Sequence, residues 1–294
     1  MCTLLHRFRA HPVYTHILAA NRDEAYDRPA TPPVVLPGSP RILCARDQRA
    51  GGTWLGLNEH GLLVAVANLR TVRPADPAKR SRGQLVLDCL RQPSLADARS
   101  LAEESAAQYN PFNLLLADHS ARVVISCSSN QITPPPSPPR KQGGAERVSP
   151  RSDAPGFVSP PRRLSERGPG GEGLSDALRT THDALGSLVI TNGLPNDRAI
   201  ANVAEGLALL DALGDADADM LIGKLGAACA QHGDPGAGWP AFCVHGERGG
   251  TVSSTILLLS ADPARSRYLY APGPPCVTAY EDYSPLLAEL QTLR

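Results

Sequence analysis

The sequence predicts an α+β protein in which layered sheet strands lie beneath packed helices. Three observations carry that expectation. Strand-sized apolar runs bounded by turn residues recur from the chain start to about residue 270. Five segments show helical patterning, and strand-like runs fall in both halves, so one sheet system is expected to run through the whole chain.

The elements follow in order. Cys2–Arg7 and Tyr14–Ala20 are β-compatible and flank a turn at His11-Pro12, which predicts an N-terminal hairpin. Trp54–Asn58 and Leu62–Asn68 form a second pair across Glu59-His60-Gly61. Gln84–Arg91 and Leu95–Gln108 read as helices, the second opened by Ser94 with Asp97 three residues on. Phe112–Ala117 and Arg122–Cys127 make another hairpin around Asp118-His119-Ser120. Beyond residue 180, Ser187–Thr191 is a short strand that runs into Asn192-Gly193. Asp197–Leu213 and Ala218–Gln231 are helical, Phe242–His245, Thr251–Ser260 and Arg267–Tyr270 are strand-like, and Pro285–Leu293 is a terminal helix.

Residues 128–173 break this pattern. Ten of the chain's 28 prolines fall there, with few large apolar side chains among them. Such a segment buries too little surface to offset its ordering entropy, so a disordered insert is expected. The organisation predicted is a single domain, 1–294, interrupted by that insert.

Composition narrows the function. The chain has 294 residues, and 29 Lys+Arg balance 29 Asp+Glu. A zero formal charge argues against a protein that works by gripping nucleic acid phosphates or a charged membrane surface. No apolar run is long enough to span a bilayer, and the N-terminus has no signal-peptide pattern. The cysteines number seven, with no C-x-x-C pair, which fits free thiols in a reducing compartment and predicts a cytoplasmic location. Six of them are expected to be packing residues. His6, His16, His60 and His245 sit at no metal-ligand spacing, so neither a metal nor a cofactor is expected.

The seventh cysteine is different, because Cys2 directly follows the initiator methionine. Removal of Met1 would leave a residue carrying both a thiol and a free α-amine. The thiol's ordinary pKa is about 8.5 and the amine's about 7.7–8.0, so one residue can supply nucleophile and base. Read alone, Cys2 is equally a residue that merely begins a strand. Asn21-Arg22-Asp23-Glu24 ends the neighbouring apolar run. Asp23 is placed to orient the Cys2 amine, and Arg22 to stabilise a thiolate or bind a carboxylate. A solvated turn is the plain alternative for those four residues.

Met1-Cys2-Thr3, Leu18-Ala19-Ala20-Asn21-Arg22-Asp23-Glu24, Arg28-Pro29 and Ala50-Gly51-Gly52-Thr53-Trp54-Leu55-Gly56 resemble the NRDE-motif family, the transport and Golgi organisation protein 2 family. Ser81-Arg82-Gly83, Asn113-Leu114 and Gly250-Thr251-Val252-Ser253-Ser254-Thr255 agree with it in order. More distantly, Asn58-Glu59-His60-Gly61-Leu62 with Ala65 and Asn68, and Thr191-Asn192, look like the choloylglycine hydrolases and penicillin V acylases. Those are N-terminal nucleophile (Ntn) hydrolases. The resemblance implies a four-layer αββα sandwich of two antiparallel sheets flanked by helices. It implies Cys2 as nucleophile, Asp23 as its orienting residue, Asn68 as oxyanion donor, and Asn192 as a second donor or a holder of the amine. Asn21, Arg22, Glu24 and Trp54 would bind substrate or support the site. The acylases place their arginine where this chain has Ala20; Arg22 lies on the same strand face but is displaced by roughly 7 Å.

Together these readings predict an amidohydrolase or acyltransferase acting on an acyl bond of a small molecule. NRDE-family association with haem trafficking and lipid homeostasis implies an alternative, a non-catalytic haem or acyl-lipid carrier on the same fold.

Overall fold

A computed structural model of the chain describes residues 2–71, 74–128, 177–182, 185–233 and 241–291. Apart from Ser128, the expected insert at 128–173 lies outside the described residues.

The chain opens with β1 (Thr3–Phe8) and β2 (Tyr14–Ala25), followed by β3 (Val34–Leu36), β4 (Ile42–Cys44), β5 (Leu55–Asn58) and β6 (Leu63–Asn68). Helices α1 (Arg82–Leu90) and α2 (Leu95–Ser105) lead to β7 (Phe112–Ala117), β8 (Arg122–Ser128), β9 (Ala177–His182) and β10 (Gly186–Ile190). Then come α3 (Ala201–Ala212), α4 (Ala218–Ala230), β11 (Gly249–Ser260), β12 (Arg267–Ala271), β13 (Glu281–Asp282) and α5 (Ser284–Gln291). Among the described residues these strands form two antiparallel sheets. One is six-stranded in the order β10-β1-β2-β11-β12-β13; the other is seven-stranded and follows the chain from β3 to β9.

The period-two alternation of the strands generates the layers. In β1 and β2, Leu4, Leu18 and Ala20 point into a core shared with Leu63, Ala65 and Leu115 of the second sheet. Their neighbours Leu5, Ile17 and Ala19 face the other way, onto Val203, Leu207, Leu221 and Leu225 of α3 and α4. On the second sheet, Val64, Leu114 and Leu116 turn outward to Leu85, Val86 and Ala98 of α1 and α2. The result is the four-layer αββα sandwich expected from the sequence.

Three departures have physical causes. β2 runs to Ala25, five residues past the expected end, because β11 pairs along it as far as Gly249 and a bulge between Thr251 and Ser253 accommodates the polar run. Phe242–His245 is not a strand: its N–H groups at Phe242 and Cys243 both donate to the Gln231 carbonyl, and only His245 bridges, to Gly250. The short strands β3, β4, β9 and β13 carry too few apolar residues to stand out without their partners.

One backbone contact ties two sequence motifs together. A Cβ added at Gly52 would fall inside the Gly83 peptide unit, and Thr53 N–H donates to Gly83 O at 3.1 Å. Ser81 caps α1 through its hydroxyl, so the next residue, Arg82, is delivered to a fixed place. Gly52→Ala is expected to destabilise the protein by about 1–3 kcal/mol through this overlap, read as a lower midpoint in urea unfolding with an unchanged m-value.

Candidate functional site

Cys2 sits where β1 begins, beside the N-R-D-E end of β2. Thr3 pairs with Asn21, and the Cys2 thiol lies 3.6 Å from the Asp23 carbonyl oxygen. The thiol packs against the inter-sheet core, as does Trp54. It opens on a cavity of about 310 Å³ whose lining includes Arg22, Trp54, Asn68, Arg82 and Glu24. A larger cavity, about 570 Å³, opens at the far end of the sheets beside His16, Ser260 and Gly61. It holds no cysteine, so chemistry by Cys2 belongs to the smaller one.

Arg22 is 6% exposed, and its guanidinium carbon lies over the Trp54 ring, 4.4 Å from its centroid. It makes no ion pair with a described carboxylate. Burial lowers its pKa, opposed by the charges of Glu24 and Asp47. The displacement argued from the sequence therefore does not remove Arg22 from the cavity. Arg82, quoted above only as a motif residue, brings a second, half-buried guanidinium there; burial lowers its pKa too, and it donates to the Pro111 carbonyl at 3.0 Å.

Glu24 braces rather than faces a ligand. Its Oε1 accepts from Ala25 N–H and its Oε2 pairs with Arg28 at 3.1 Å. Arg28 in turn donates Nε–H to Asp47 at 2.9 Å. Burial pushes the Asp47 carboxyl up, but the Arg28 guanidinium and the N–H groups of Arg49 and Ala50 outweigh it and hold the pKa below the usual range. A depressed folded pKa stabilises the fold fully above the unfolded carboxylate value of about 3.9, and that contribution is lost as pH falls through the folded value. Asp47→Asn is expected to cost about 1–3 kcal/mol at pH 7 and to flatten stability against pH below about 4, measured by urea unfolding across that range.

Asp23 accepts a 2.6 Å hydrogen bond from the Thr251 hydroxyl. Burial raises its carboxyl pKa, and this hydrogen bond opposes the rise. Thr251 had no place among the sequence candidates, although its G-T-V-S-S-T context carried the signal. The Cys2 thiol is also raised, first by burial and then by the Asp23 charge. A Cys2 thiolate would favour the charged forms of Arg22, Arg28 and Arg82, but burial outweighs that mutual help at the thiol.

Asn68 lines the cavity, and its side-chain amide makes no hydrogen bond to a described residue. Asn192 stands behind it. Its Nδ2–H donates to the Asn68 carbonyl at 2.6 Å, and its own carbonyl accepts from Arg70 N–H at 2.8 Å. Asn113, fully buried, grips the same loop by donating to Thr191 O and Gly193 O at 3.3 and 2.7 Å. One Nδ2–H of Asn192 thus holds the backbone of Asn68.

Asn21 supports the site from behind and does not line the cavity. Adjacent strand residues point to opposite faces, and Asn21 faces the helices. Its Nδ2 donates to Cys229 O at 2.8 Å and to Phe242 O at 2.9 Å. His245, set aside on spacing, lies with His232, Cys243 and Cys276 so that all four side-chain donor atoms fall within 4.8 Å of one another. Cys44, Cys89, Cys127, Cys229 and Cys243 are buried, and Cys276 is half-buried.

Fold and site together define a four-layer sandwich with a cysteine at its chain start, lodged between the sheets above a cationic cavity. The chain belongs to the Transport and Golgi organisation 2 family, whose profile matches residues 1–225. It is 36% identical over 147 residues to the Transport and Golgi organization 2 homolog of Mus musculus, covering 46% of this chain and 52% of the mouse protein. The corresponding homolog of Bos taurus is 39% identical over 131 residues, 41% of this chain and 46% of the bovine one. The chain thus spans about half the length of the curated relatives it matches. Among solved structures, it is similar to a Caenorhabditis elegans N-acylethanolamine-hydrolyzing acid amidase ortholog, with TM-score 0.48, 13% identity, and 88% and 92% of the two chains covered. It is also similar to penicillin V acylase from Agrobacterium tumefaciens, with TM-score 0.48, 10% identity, and 92% and 83% covered. Among the described residues no helix is long and apolar enough to cross a membrane.

Proposed function

We propose that the protein is an N-terminal cysteine amidohydrolase or acyltransferase acting on a small acyl compound that carries an anionic group. The observation that carries this reading is the Cys2 thiol opening on the cavity that also holds Asn68 and two guanidiniums, the buried Arg22 and the half-buried Arg82, neither of them ion-paired with a described carboxylate. Once Met1 is gone, the α-amine of Cys2 takes the thiol proton as sulfur attacks the acyl carbonyl. The Sγ–C bond forms, the oxyanion rests on the Asn68 amide, and collapse breaks the C–N bond. The leaving amine carries the proton away. Water or another acceptor then cleaves the thioester, regenerating the thiol. Arg22, stacked on Trp54, and Arg82 are suited to a carboxylate or phosphate on the substrate. Free thiols at all seven cysteines suit a reducing compartment, and we place the protein in the cytoplasm.

The relatives' name, Transport and Golgi organization, supports a second reading, transport without turnover, for which the family resemblance implies haem or an acyl lipid as cargo. Mass spectrometry of the purified chain, followed by a screen of N-acyl amino acids and other anionic amides, tests the first reading. Loss of Met1 with cleavage of at least one such amide is expected. Retention of Met1 in the bulk of the protein overturns the hydrolytic reading.

A further inference from the structure

His232 follows α4, Cys243 and His245 lie on the connection into β11, and Cys276 lies between β12 and β13. Nothing in the proposed chemistry of Cys2 uses them. The two sulfurs are 3.6 Å apart, and His245 Nε2 is 3.7 Å from the Cys243 sulfur and 3.3 Å from that of Cys276. The His232 ring meets the His245 ring edge-on, with centroids 5.1 Å apart. Zinc bonds of about 2.3 Å to sulfur and about 2.0–2.1 Å to nitrogen place tetrahedral ligands about 3.3–3.8 Å from one another. The three measured separations fall in that range, although the four residues come from two separate connections, His232, Cys243 and His245 from the one between α4 and β11 and Cys276 from the one between β12 and β13. Loops meet this way by accident for one pair, seldom for four side chains that are all soft or borderline metal ligands.

We infer that His232, Cys243, His245 and Cys276 bind one zinc ion as a closed structural Cys₂His₂ site. Two thiols each give up a proton on binding, so two thiolates neutralise the dication, and the imidazoles bind in their neutral form. With four protein ligands, no position is open to substrate, which makes the ion a staple and not a Lewis acid. A sulfur-nitrogen tetrahedral set selects zinc over magnesium or calcium.

The staple has work to do at this place. The Phe242–His245 segment lacks strand pairing, yet it touches the site. Val244 N–H donates to the Thr251 hydroxyl at 3.0 Å, and Thr251 N–H donates back to Val244 O at 2.8 Å. The same Thr251 hydroxyl donates to Asp23. Gly250 has no room for a side chain because Val244 O occupies the place of its Cβ. An ion fixed on Cys243 and His245 therefore holds Val244 between them, and with it the partner of Asp23.

The test uses the full chain, purified under reducing conditions without chelator. Elemental analysis is expected to find one zinc per chain, falling to background in a Cys243→Ser/Cys276→Ser variant. Cobalt(II) added to chelator-stripped protein is expected to give the ligand-field bands of a tetrahedral site with thiolate-to-cobalt charge transfer, absent from Cys276→Ser. The cobalt spectrum of the wild-type chain decides the matter even where the double variant fails to fold. No zinc uptake by the reduced wild-type chain would falsify the site. So would an equal zinc content in a folded double variant, or a Cys243–Cys276 disulfide whose reduction leaves metal uptake nil. None of these outcomes depends on whether Cys2 is catalytic.

Discussion

Cys2→Ala is expected to abolish amide turnover, by about a millionfold in kcat, while leaving the fold in place. The magnitude is typical of removing a nucleophile that acts as a unit with its base. Here the base is the same residue's α-amine, which creates a second expectation. A folded chain whose methionine cannot be removed, because a bulky residue follows it and precedes the cysteine, is expected to be as inactive as the alanine variant. Both have the cavity, the arginines and Asn68; neither has a thiol next to a free amine. The pH argument runs the same way. Burial and Asp23 raise the Cys2 thiol, so the thiolate fraction at neutral pH is smaller than that of an exposed cysteine. Without the adjacent amine, alkylation by iodoacetamide should therefore be slow at pH 7 and should climb only above the ordinary thiol value of about 8.5. Stability should hardly change, since Cys2 is only half-buried at the edge of the core and the substitution removes a single atom. Turnover by Cys2→Ala above a tenth of the wild-type rate would exclude the nucleophile and leave the carrier reading in possession of the cavity.

The parts of the fold that the sequence foretold are those whose pattern is local. β1, β2, β6 and β7 alternate or run apolar over six residues or more, and α1, α2 and α4 begin at the capping residues Ser81, Ser94 and Asp217. The same locality explains why Cys2 and Asp23 could be nominated from their own neighbourhoods, whereas Asn68 was implied only by the resemblance to the acylases. What escaped was decided by distant pairing. Nothing around Asn21 says that it will hold Cys229 and Phe242 from behind, because a one-residue step along a strand reverses the face and only the register fixes which face is inward. Arg82 required the contact of Gly52 with Gly83, two motifs 31 positions apart that each looked like loop chemistry. The His232–Cys276 cluster is the extreme case. Its ligands come from two connections, with Cys276 more than thirty residues from the other three, so no spacing rule of the C-x-x-C kind registers them. The Cys243-x-His245 step was the one local hint, and a buried free thiol is ordinarily a packing residue.

The second large effect separates the two asparagines. Asn68→Ala is expected to lower kcat by about 10²–10³ with KM within a few-fold of wild type, because an oxyanion donor acts only when charge develops on the carbonyl oxygen. Its amide is the one at the cavity wall with no hydrogen bond to a described residue, and so the one available to a tetrahedral intermediate. Asn192→Ala should behave differently. Its Nδ2–H is committed to the Asn68 carbonyl, so the substitution removes the brace and leaves the donor in place. A loss of about tenfold in kcat, accompanied by about 1–3 kcal/mol of lost stability from the unpaired Asn68 carbonyl, is the expected outcome. Asn192→Asp, which offers no N–H to that carbonyl, should resemble the alanine variant and not the wild type. Steady-state kinetics on whichever anionic amide the screen yields, with urea unfolding of each variant alongside, reads out both effects. Equal losses of kcat from Asn68→Ala and Asn192→Ala at unchanged stability would return Asn192 to the oxyanion and contradict the division of labour drawn from the 2.6 Å contact. A rise in KM alone for Asn68→Ala would make that amide a ground-state binder and leave the transition state to be stabilised by Arg22 or Arg82.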